Sequence, residues 1–292
     1  MQAGRRRAPA AGAWVAAAAL GGLLGCAGAP REIASNADPL LVEQPGGARL
    51  AWVHGALMRA AVVGERTDPA IVFVHGSPGS WEAGAHLLAM PWMRDGHLLI
   101  AYDRPGYGGS SPHHTEPSLA AQAAALAGLL DALGARGQVI LVGHSLGGPV
   151  IARFAMDFPE RTAGLVFVAA SVDPALERWR WYNVAAGWRV ARRILPEPLI
   201  RSNEEIEPLK GELEALLPRW AQINAPAAII HGTDDRLVPI GNADFLRAHL
   251  SGVPLREWIV PGETHGVLWH QPALIEAAVR WLEWQNGAKD AR

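Results

Sequence analysis

The stretch that decides the fold is Val139-Ile140-Leu141-Val142-Gly143-His144-Ser145-Leu146-Gly147-Gly148. An apolar run rich in β-branched residues, typical of a buried strand, leads directly into a serine between glycines. Leu146, Val150 and Phe154 then recur at helical spacing. In a sharp strand-to-helix turn of this kind, the glycines let neighbouring backbone pass without a Cβ clash and leave the serine hydroxyl exposed. We therefore interpret Ser145 as a nucleophile on an elbow.

A second glycine turn lies upstream, in Val72-Phe73-Val74-His75-Gly76-Ser77-Pro78-Gly79. It again follows a run typical of a buried strand. A nucleophilic serine needs backbone N–H groups that stabilise the oxyanion formed after attack. We expect one of them in this loop, and we interpret His75 as a residue that positions it.

A serine hydroxyl is almost wholly protonated at neutral pH, so it needs a base and a carboxylate that orients the base. Downstream, the apolar run 227–230 ends in an acidic turn that contains Asp234 and Asp235, and the run 258–260 ends in a glycine-flanked loop with His265. Both lie where strands end, which is where ligands gather in open α/β sheets. His144 is adjacent to Ser145 in sequence, and we interpret it as a packing or hydrogen-bonding residue under the turn.

Together these motifs resemble the α/β-hydrolase superfamily, and the resemblance extends from about Leu50 to Trp284. It implies catalytic residues in the chain order serine, acid, histidine, with His265 as the base. It also implies that the backbone N–H groups of Ser77 and Leu146 form the oxyanion hole. The family pattern places the acid three residues after a glycine, which favours Asp235 over Asp234. Asp234 is then a turn residue bonded to nearby amides.

The turn Ala101-Tyr102-Asp103-Arg104-Pro105-Gly106-Tyr107-Gly108 resembles the one that follows the fourth strand of the family. Two interpretations of Asp103 stay open, a structural tie to backbone amides and a direct role in the site.

Periodicity predicts a mainly parallel eight-stranded sheet with helices on both faces, an α/β fold. The family resemblance adds a short helical cap inserted after strand 6. We assign residues 48–171 and 223–288 to the core and 172–222 to the cap. The predicted strands are near 48–54, 57–63, 70–75, 98–102, 138–142, 164–169, 226–231 and 256–260, and the predicted helices are near 81–93, 117–134, 146–157, 241–250 and 271–285.

The predicted cap is rich in aromatic residues, and two interpretations of them stay open. They can line an apolar substrate pocket, or they can pack in the core, which is common for aromatic residues at helical spacing. The residues concerned are Trp179, Trp181, Tyr182, Trp188 and Trp220.

The first 26 residues have the pattern of a signal peptide. Arg5, Arg6 and Arg7 precede an apolar segment that is shorter than the roughly 20 residues a membrane-spanning helix needs. Leu23-Leu24-Gly25-Cys26 resembles a bacterial lipobox, which implies lipidation of Cys26 and a membrane lipoprotein of the cell envelope. A plain cleaved signal or an uncleaved anchor is the alternative. We expect residues 27–47 to form a tether.

Composition narrows the classes of function. The chain has 292 residues, 50% hydrophobic and 18% charged, with a net charge of −2, which argues against nucleic-acid binding. It lacks a dinucleotide-type glycine fingerprint, a phosphate loop and paired histidines at metal-ligand spacing, so we expect no cofactor and no metal.

The sequence thus predicts a serine hydrolase that acts on a carboxylic ester of small or medium apolar character. The same residues suit carbon–carbon bond hydrolysis, amide hydrolysis or cofactor-free perhydrolysis. Epoxide hydrolases and haloalkane dehalogenases of this fold use an aspartate nucleophile, so Ser145 argues against both. A ligand-binding protein that keeps the fold without turnover is an alternative from another class.

Overall fold

One β-sheet forms the centre of the computed structural model, which describes residues 40–43, 49–53, 58–65, 69–110, 114–178 and 193–290. Nine strands within these ranges pair in the order β1-β2-β3-β5-β4-β6-β7-β8-β9. The strands are β1 (Leu40–Glu43), β2 (Arg49–Val53), β3 (Met58–Val63), β4 (Ala70–Val74), β5 (Leu98–Tyr102), β6 (Val139–His144), β7 (Thr162–Val168), β8 (Ala227–Gly232) and β9 (Leu255–Val260).

The sheet is mainly parallel, as predicted. Strands β5, β4, β6, β7, β8 and β9 run parallel to one another, while β1, β2 and β3 form an antiparallel edge that pairs with β5. The predicted count of eight strands is wrong by one, because Leu40–Glu43 lies in the segment predicted as a tether and pairs with β2. This apolar run is too short to show a period, and an antiparallel strand needs only a short connection to join an edge.

Both faces of the central strands are buried, which explains their nearly continuous apolar sequence. In β4, Val72 and Val74 point to one core cluster, and Ile71 and Phe73 point to the other. The period of two along each strand therefore supplies two apolar layers, each covered by helices.

Helices cover both faces, as predicted. The first face carries α3 (Leu119–Leu133), α4 (Gly147–Asp157), α5 (Glu197–Leu216) and α6 (Gly241–His249), and the second carries α1 (Ala85–Leu88), α2 (Pro91–Arg94), α7 (Val267–His270) and α8 (Pro272–Asp290). A single helix predicted over 81–93 is instead a 3₁₀ turn, Trp81–Gly84, followed by α1 and α2. Pro91 causes the break, because Met90 before it takes an extended conformation.

The segment predicted as a cap lies between β7 and β8, and its described part contains α5 and a 3₁₀ helix, Leu217–Gln222. Trp220 belongs to the core: it is buried, and its ring meets that of Phe245 edge-on at 5.3 Å. The other four aromatic residues of the predicted cap lie outside the described residues, as do the predicted signal peptide and Cys26. None of the helices in the described ranges is long and apolar enough to cross a bilayer.

Candidate active site

Ser145 lies on the turn between β6 and α4, in a left-handed backbone conformation with a φ of 54°. This conformation is uncommon for a residue with a side chain and persists only where the surroundings enforce it. The Ser145 N–H donates to the carbonyl of Val168 at 3.0 Å, and its carbonyl accepts from Gly148 N at 2.9 Å. A Cβ on Gly143 would lie 2.6 Å from the carbonyl oxygen of Gly147. The glycines thus permit the tight turn that the sequence predicts.

The loop after β4 lies against this elbow. A Cβ on Gly76 would approach the Cβ of Ser145 to 2.8 Å, so backbone of the loop passes directly beside the nucleophile candidate. Ser77, Ser145 and Leu146 line one cavity of about 330 Å³. The structure therefore places both predicted oxyanion donors at the same cavity as the serine.

Asp235 and His265 are in direct contact. The Nδ1 atom of His265 lies 2.7 Å from Oδ2 of Asp235. The other carboxylate oxygen, Oδ1, accepts the backbone N–H groups of Leu237 and Val238, each at 2.9 Å. The Asp235 side chain is fully buried, and these bonds fix its orientation toward the imidazole.

Asp234 points elsewhere. It is exposed, its carboxylate accepts from the hydroxyl of its neighbour Thr233 at 3.2 Å, and its N–H donates to the carbonyl of Glu263. The structure thus pairs His265 with Asp235, and it places Asp234 in the turn.

His265 contacts His144, the residue that precedes Ser145 in the elbow. The two rings lie 4.8 Å apart, and His144 Nε2 lies 3.3 Å from the carbonyl oxygen of His265. Burial, together with repulsion from His265, holds the pKa of His144 well below its usual value, so this residue is neutral. His144 therefore packs between the nucleophile turn and the base, in line with its interpretation as a packing residue.

A buried ion pair lies behind the loop after β4, and sequence reasoning missed it. Arg104, in the turn after β5, forms an ion pair with Glu205 on α5. The two residues are 0% and 1% exposed. Arg104 also donates from Nε to the carbonyl of His75 at 2.9 Å and from Nη2 to that of Gly76 at 3.0 Å. Burial raises the pKa of Glu205, but the Arg104 charge and hydrogen bonds lower it by more, so the carboxyl is ionised. The ion pair fixes Arg104, and Arg104 stabilises the loop through these two hydrogen bonds.

The same network reaches the side chain of Ser77. Tyr107 donates its hydroxyl hydrogen to Glu205 Oε2 at 2.7 Å, and its oxygen lies 2.8 Å from Ser77 Oγ. Ser77 Oγ also lies 3.0 Å from the hydroxyl of Ser202 on α5. His75 contributes as predicted for a positioning residue, since its Nε2 accepts the N–H of Arg104 at 2.9 Å. The predicted oxyanion loop is therefore bonded both to the core and to α5.

Replacing Glu205 with glutamine should lower the free energy of unfolding by roughly 3–5 kcal/mol, because it leaves the buried Arg104 charge without its counterion. Urea denaturation measures this change. Glu207, exposed on the same helix, provides the control, since Glu207→Gln should stay within about 0.5 kcal/mol of the unchanged protein. A loss below about 1 kcal/mol for Glu205→Gln would show that the pair contributes little.

The sequence left two roles open for Asp103, and its contacts in the structure are those of the structural role. Its carboxylate accepts the N–H groups of Trp81 and Gly109, both at 2.8 Å, and bonds Nε of Arg59 at 2.6 Å. These partners tie the turn after β5 to its surroundings. Asp103 is fully buried and is not among the residues that line the cavity.

Among the described residues, apolar side chains form most of the remaining cavity wall. The lining residues beyond Ser77, Ser145 and Leu146 are Ser171, Leu176, Glu177, Arg178, Ile206, Leu209, Leu237, Val238 and Pro239. Leu237 and Val238, which hold Asp235, are among them, so the acid turn borders the cavity. In the described residues, no three His, Cys, Asp or Glu side chains are grouped to hold a metal ion.

Comparisons with known proteins agree with this architecture. A family model for the alpha/beta hydrolase fold matches residues 69–202. The 2-hydroxy-6-oxononadienedioate/2-hydroxy-6-oxononatrienedioate hydrolase of Burkholderia vietnamiensis is 30% identical over 212 residues, which cover 59% of this chain and 73% of the relative.

Solved structures give the same result. The monoacylglycerol lipase of Paleococcus ferrophilus superposes with a TM-score of 0.61 at 20% identity, over 77% of this chain and 98% of the lipase. The 2-hydroxy-6-oxo-6-phenylhexa-2,4-dienoate hydrolase of Rhodococcus sp. strain RHA1 superposes with a TM-score of 0.63 at 18% identity. The match covers 84% of this chain and 99% of that hydrolase. The chain belongs to the α/β-hydrolase family, and it is a hydrolase of that fold.

Proposed function

We propose that this protein is a serine hydrolase that cleaves a carboxylic ester of small or medium apolar character through an acyl-enzyme on Ser145. Two observations carry the proposal: Ser145 lies on a strained elbow at a cavity, and His265, paired with the buried carboxylate of Asp235, contacts His144, the residue before Ser145. This combination is the requirement for activating a serine hydroxyl.

In the proposed reaction, Ser145 Oγ attacks the ester carbonyl carbon while Nε2 of His265 takes the hydroxyl proton. Asp235 stabilises the imidazolium through Nδ1, and the N–H groups of Ser77 and Leu146 donate to the oxyanion. The alcohol leaves with the proton from His265, and the acyl group stays on Ser145. A water molecule then attacks the acyl-enzyme by the same route, which releases the acid and restores the serine.

The cavity supports the size and polarity of the proposed substrate. A volume of about 330 Å³ is at the lower end of the range for small-molecule pockets. Seven of the twelve described residues that line it are apolar, which favours an uncharged acyl or alcohol chain.

Carbon–carbon bond hydrolysis is the second candidate, and the relative from Burkholderia vietnamiensis favours it. The substrate in that relative's name is a dioate, which carries two carboxylates. Glu177 and Arg178 both line the cavity of the present chain, so the described lining residues carry no excess of positive charge that would select a dianion. The ester therefore remains the first choice.

A panel of nitrophenyl esters of increasing acyl length, assayed beside an aryl amide and a vinylogous diketone, tests the proposal. We expect ester turnover that is highest for short and medium acyl chains and falls for long ones, because the cavity is small. Preferential cleavage of the diketone would favour carbon–carbon hydrolysis instead. Absence of turnover on the whole panel would favour the non-catalytic alternative.

We also propose that the chain is exported and anchored to the bacterial cell envelope by lipid on Cys26. The sequence Leu23-Leu24-Gly25-Cys26 supports this proposal. Mass spectrometry of the mature N-terminus tests it: a diacylglyceryl cysteine is expected, and an unmodified residue 26 or a cleavage elsewhere would contradict it.

A further inference from the structure

One carboxyl group at the cavity has no part in the proposed acyl transfer. Glu177 follows β7 and lines the cavity together with Ser145. The hydroxyl of Ser171 donates to its Oε1. Ser171 in turn donates its backbone N–H to the carbonyl of Ser145 at 3.2 Å. Ser171 therefore connects the carboxyl of Glu177 to the nucleophile turn.

The described neighbours of this carboxyl give it a hydrogen bond but no ion pair. Burial raises the pKa of Glu177, the nearby Asp173 raises it further, and the hydrogen bond from Ser171 opposes both. Among the described residues, no cationic side chain forms an ion pair with Glu177. Arg178 lines the same cavity but is exposed. A carboxyl held in such a place without a counterion is costly unless a hydrogen-bond donor meets it.

Within the described residues, the only hydrogen-bond donor that meets Glu177 is the Ser171 hydroxyl, at Oε1, which leaves Oε2 without a partner there. Leu176, Ile206 and Leu209 lie around the same cavity and have no polar side-chain atoms. A bound ligand can supply the donor, since both Glu177 and the lone pairs of Ser171 accept hydrogen bonds.

We propose that Glu177 and Ser171 form a subsite for a hydrogen-bond-donating group of the substrate, a hydroxyl or an ammonium, on an otherwise apolar ester. The ester part of this inference rests on the proposed function. The subsite disfavours esters that carry a second carboxylate, because two acceptors of like charge then face each other.

Binding to the Ser145→Ala variant tests the subsite without turnover. On the acid side, the ligands are methyl 6-hydroxyhexanoate, methyl 6-aminohexanoate, methyl heptanoate and monomethyl adipate. On the alcohol side, they are 2-hydroxyethyl hexanoate and propyl hexanoate. Members of each series have similar length and differ at one end, and NMR titration gives their Kd values.

In at least one series, we expect the donor-bearing ester to bind about tenfold more tightly than its methyl-ended partner, as suits a hydrogen bond to a charged or partly charged acceptor. Monomethyl adipate should bind more weakly than methyl heptanoate. Adding Glu177→Leu should bring the donor preference to about one, while methyl heptanoate binds at least as tightly as before, which shows an intact cavity. No donor preference in either series, or a preference unchanged by Glu177→Leu, would overturn the subsite.

Glu177→Gln is the matched control, because the amide keeps an acceptor oxygen and loses the charge. It should retain part of the hydroxyl preference and lose the ammonium preference. If the leucine variant does not fold, this result alone decides whether the subsite exists. Rates with the unchanged protein separate the two proposals. Donor-selective binding without hydrolysis of these esters would reject the reaction and keep the subsite, whereas hydrolysis without donor selectivity would reject the subsite alone.

Discussion

Replacing Ser145 with alanine is expected to lower ester hydrolysis by about 10⁴-fold or more, because the proposed acyl-enzyme can no longer form. The fold should be retained, since alanine fits the left-handed turn no worse than serine and the hydrogen bonds there come from the backbone. Steady-state rates with the best ester of the panel and labelling by a fluorophosphonate measure the effect.

Ser171→Ala is the matched control for the nucleophile. Ser171 lines the same cavity and lies beside the elbow, so it meets the same reagent. We expect the fluorophosphonate still to label Ser145 in this variant, because Ser171 does not form the covalent bond. Label found on a serine other than Ser145, or Ser145→Ala activity within tenfold of the unchanged protein, would reject the assignment.

Replacing Asp235 with asparagine should lower kcat by about a thousandfold or more. Two backbone N–H groups, from Leu237 and Val238, bond one carboxylate oxygen, so the amide oxygen of asparagine takes that position. Its NH₂ group then faces Nδ1 of His265 and donates to it. The imidazole proton moves to Nε2, and the nitrogen that should accept the serine proton is blocked.

Asp234→Asn tests whether this effect belongs to one of the two adjacent aspartates. Asp234 is exposed and bonds only to its own turn through its side chain in the described structure, so its loss should change kcat by less than about tenfold. Rates of both variants on the same ester give the ranking. The opposite ranking would show that another carboxylate orients the base.

The site residues could be predicted because each follows its own strand. Ser145, Asp235 and His265 come after apolar runs that form β6, β8 and β9, and the parallel sheet brings the ends of these runs to one edge. Local sequence was enough for this step. The preference for Asp235 over Asp234 came from the family pattern, and the structure places Asp235 against His265.

The contacts that support the site could not be predicted in this way. Arg104 and Glu205 are 101 residues apart, and no local period connects a charged residue in a turn with one on a helix of the insertion. Glu177 and Ser171 likewise meet through a loop whose path the sequence does not specify. The edge strand Leu40–Glu43 was missed because pairing, rather than propensity, makes it a strand.

The ion pair between the core and α5 also limits how this protein can be recombined. In a chimera that receives the insertion of another hydrolase, the guanidinium of Arg104 would remain beneath the carbonyls of His75 and Gly76 while its counterion left with α5. Such an exchange would succeed only if the incoming helix carried an acid at the matching turn, or if position 104 became neutral in the same step. Glu205 and Arg104 should therefore be exchanged together in such a chimera, although they lie in segments that otherwise could be exchanged separately.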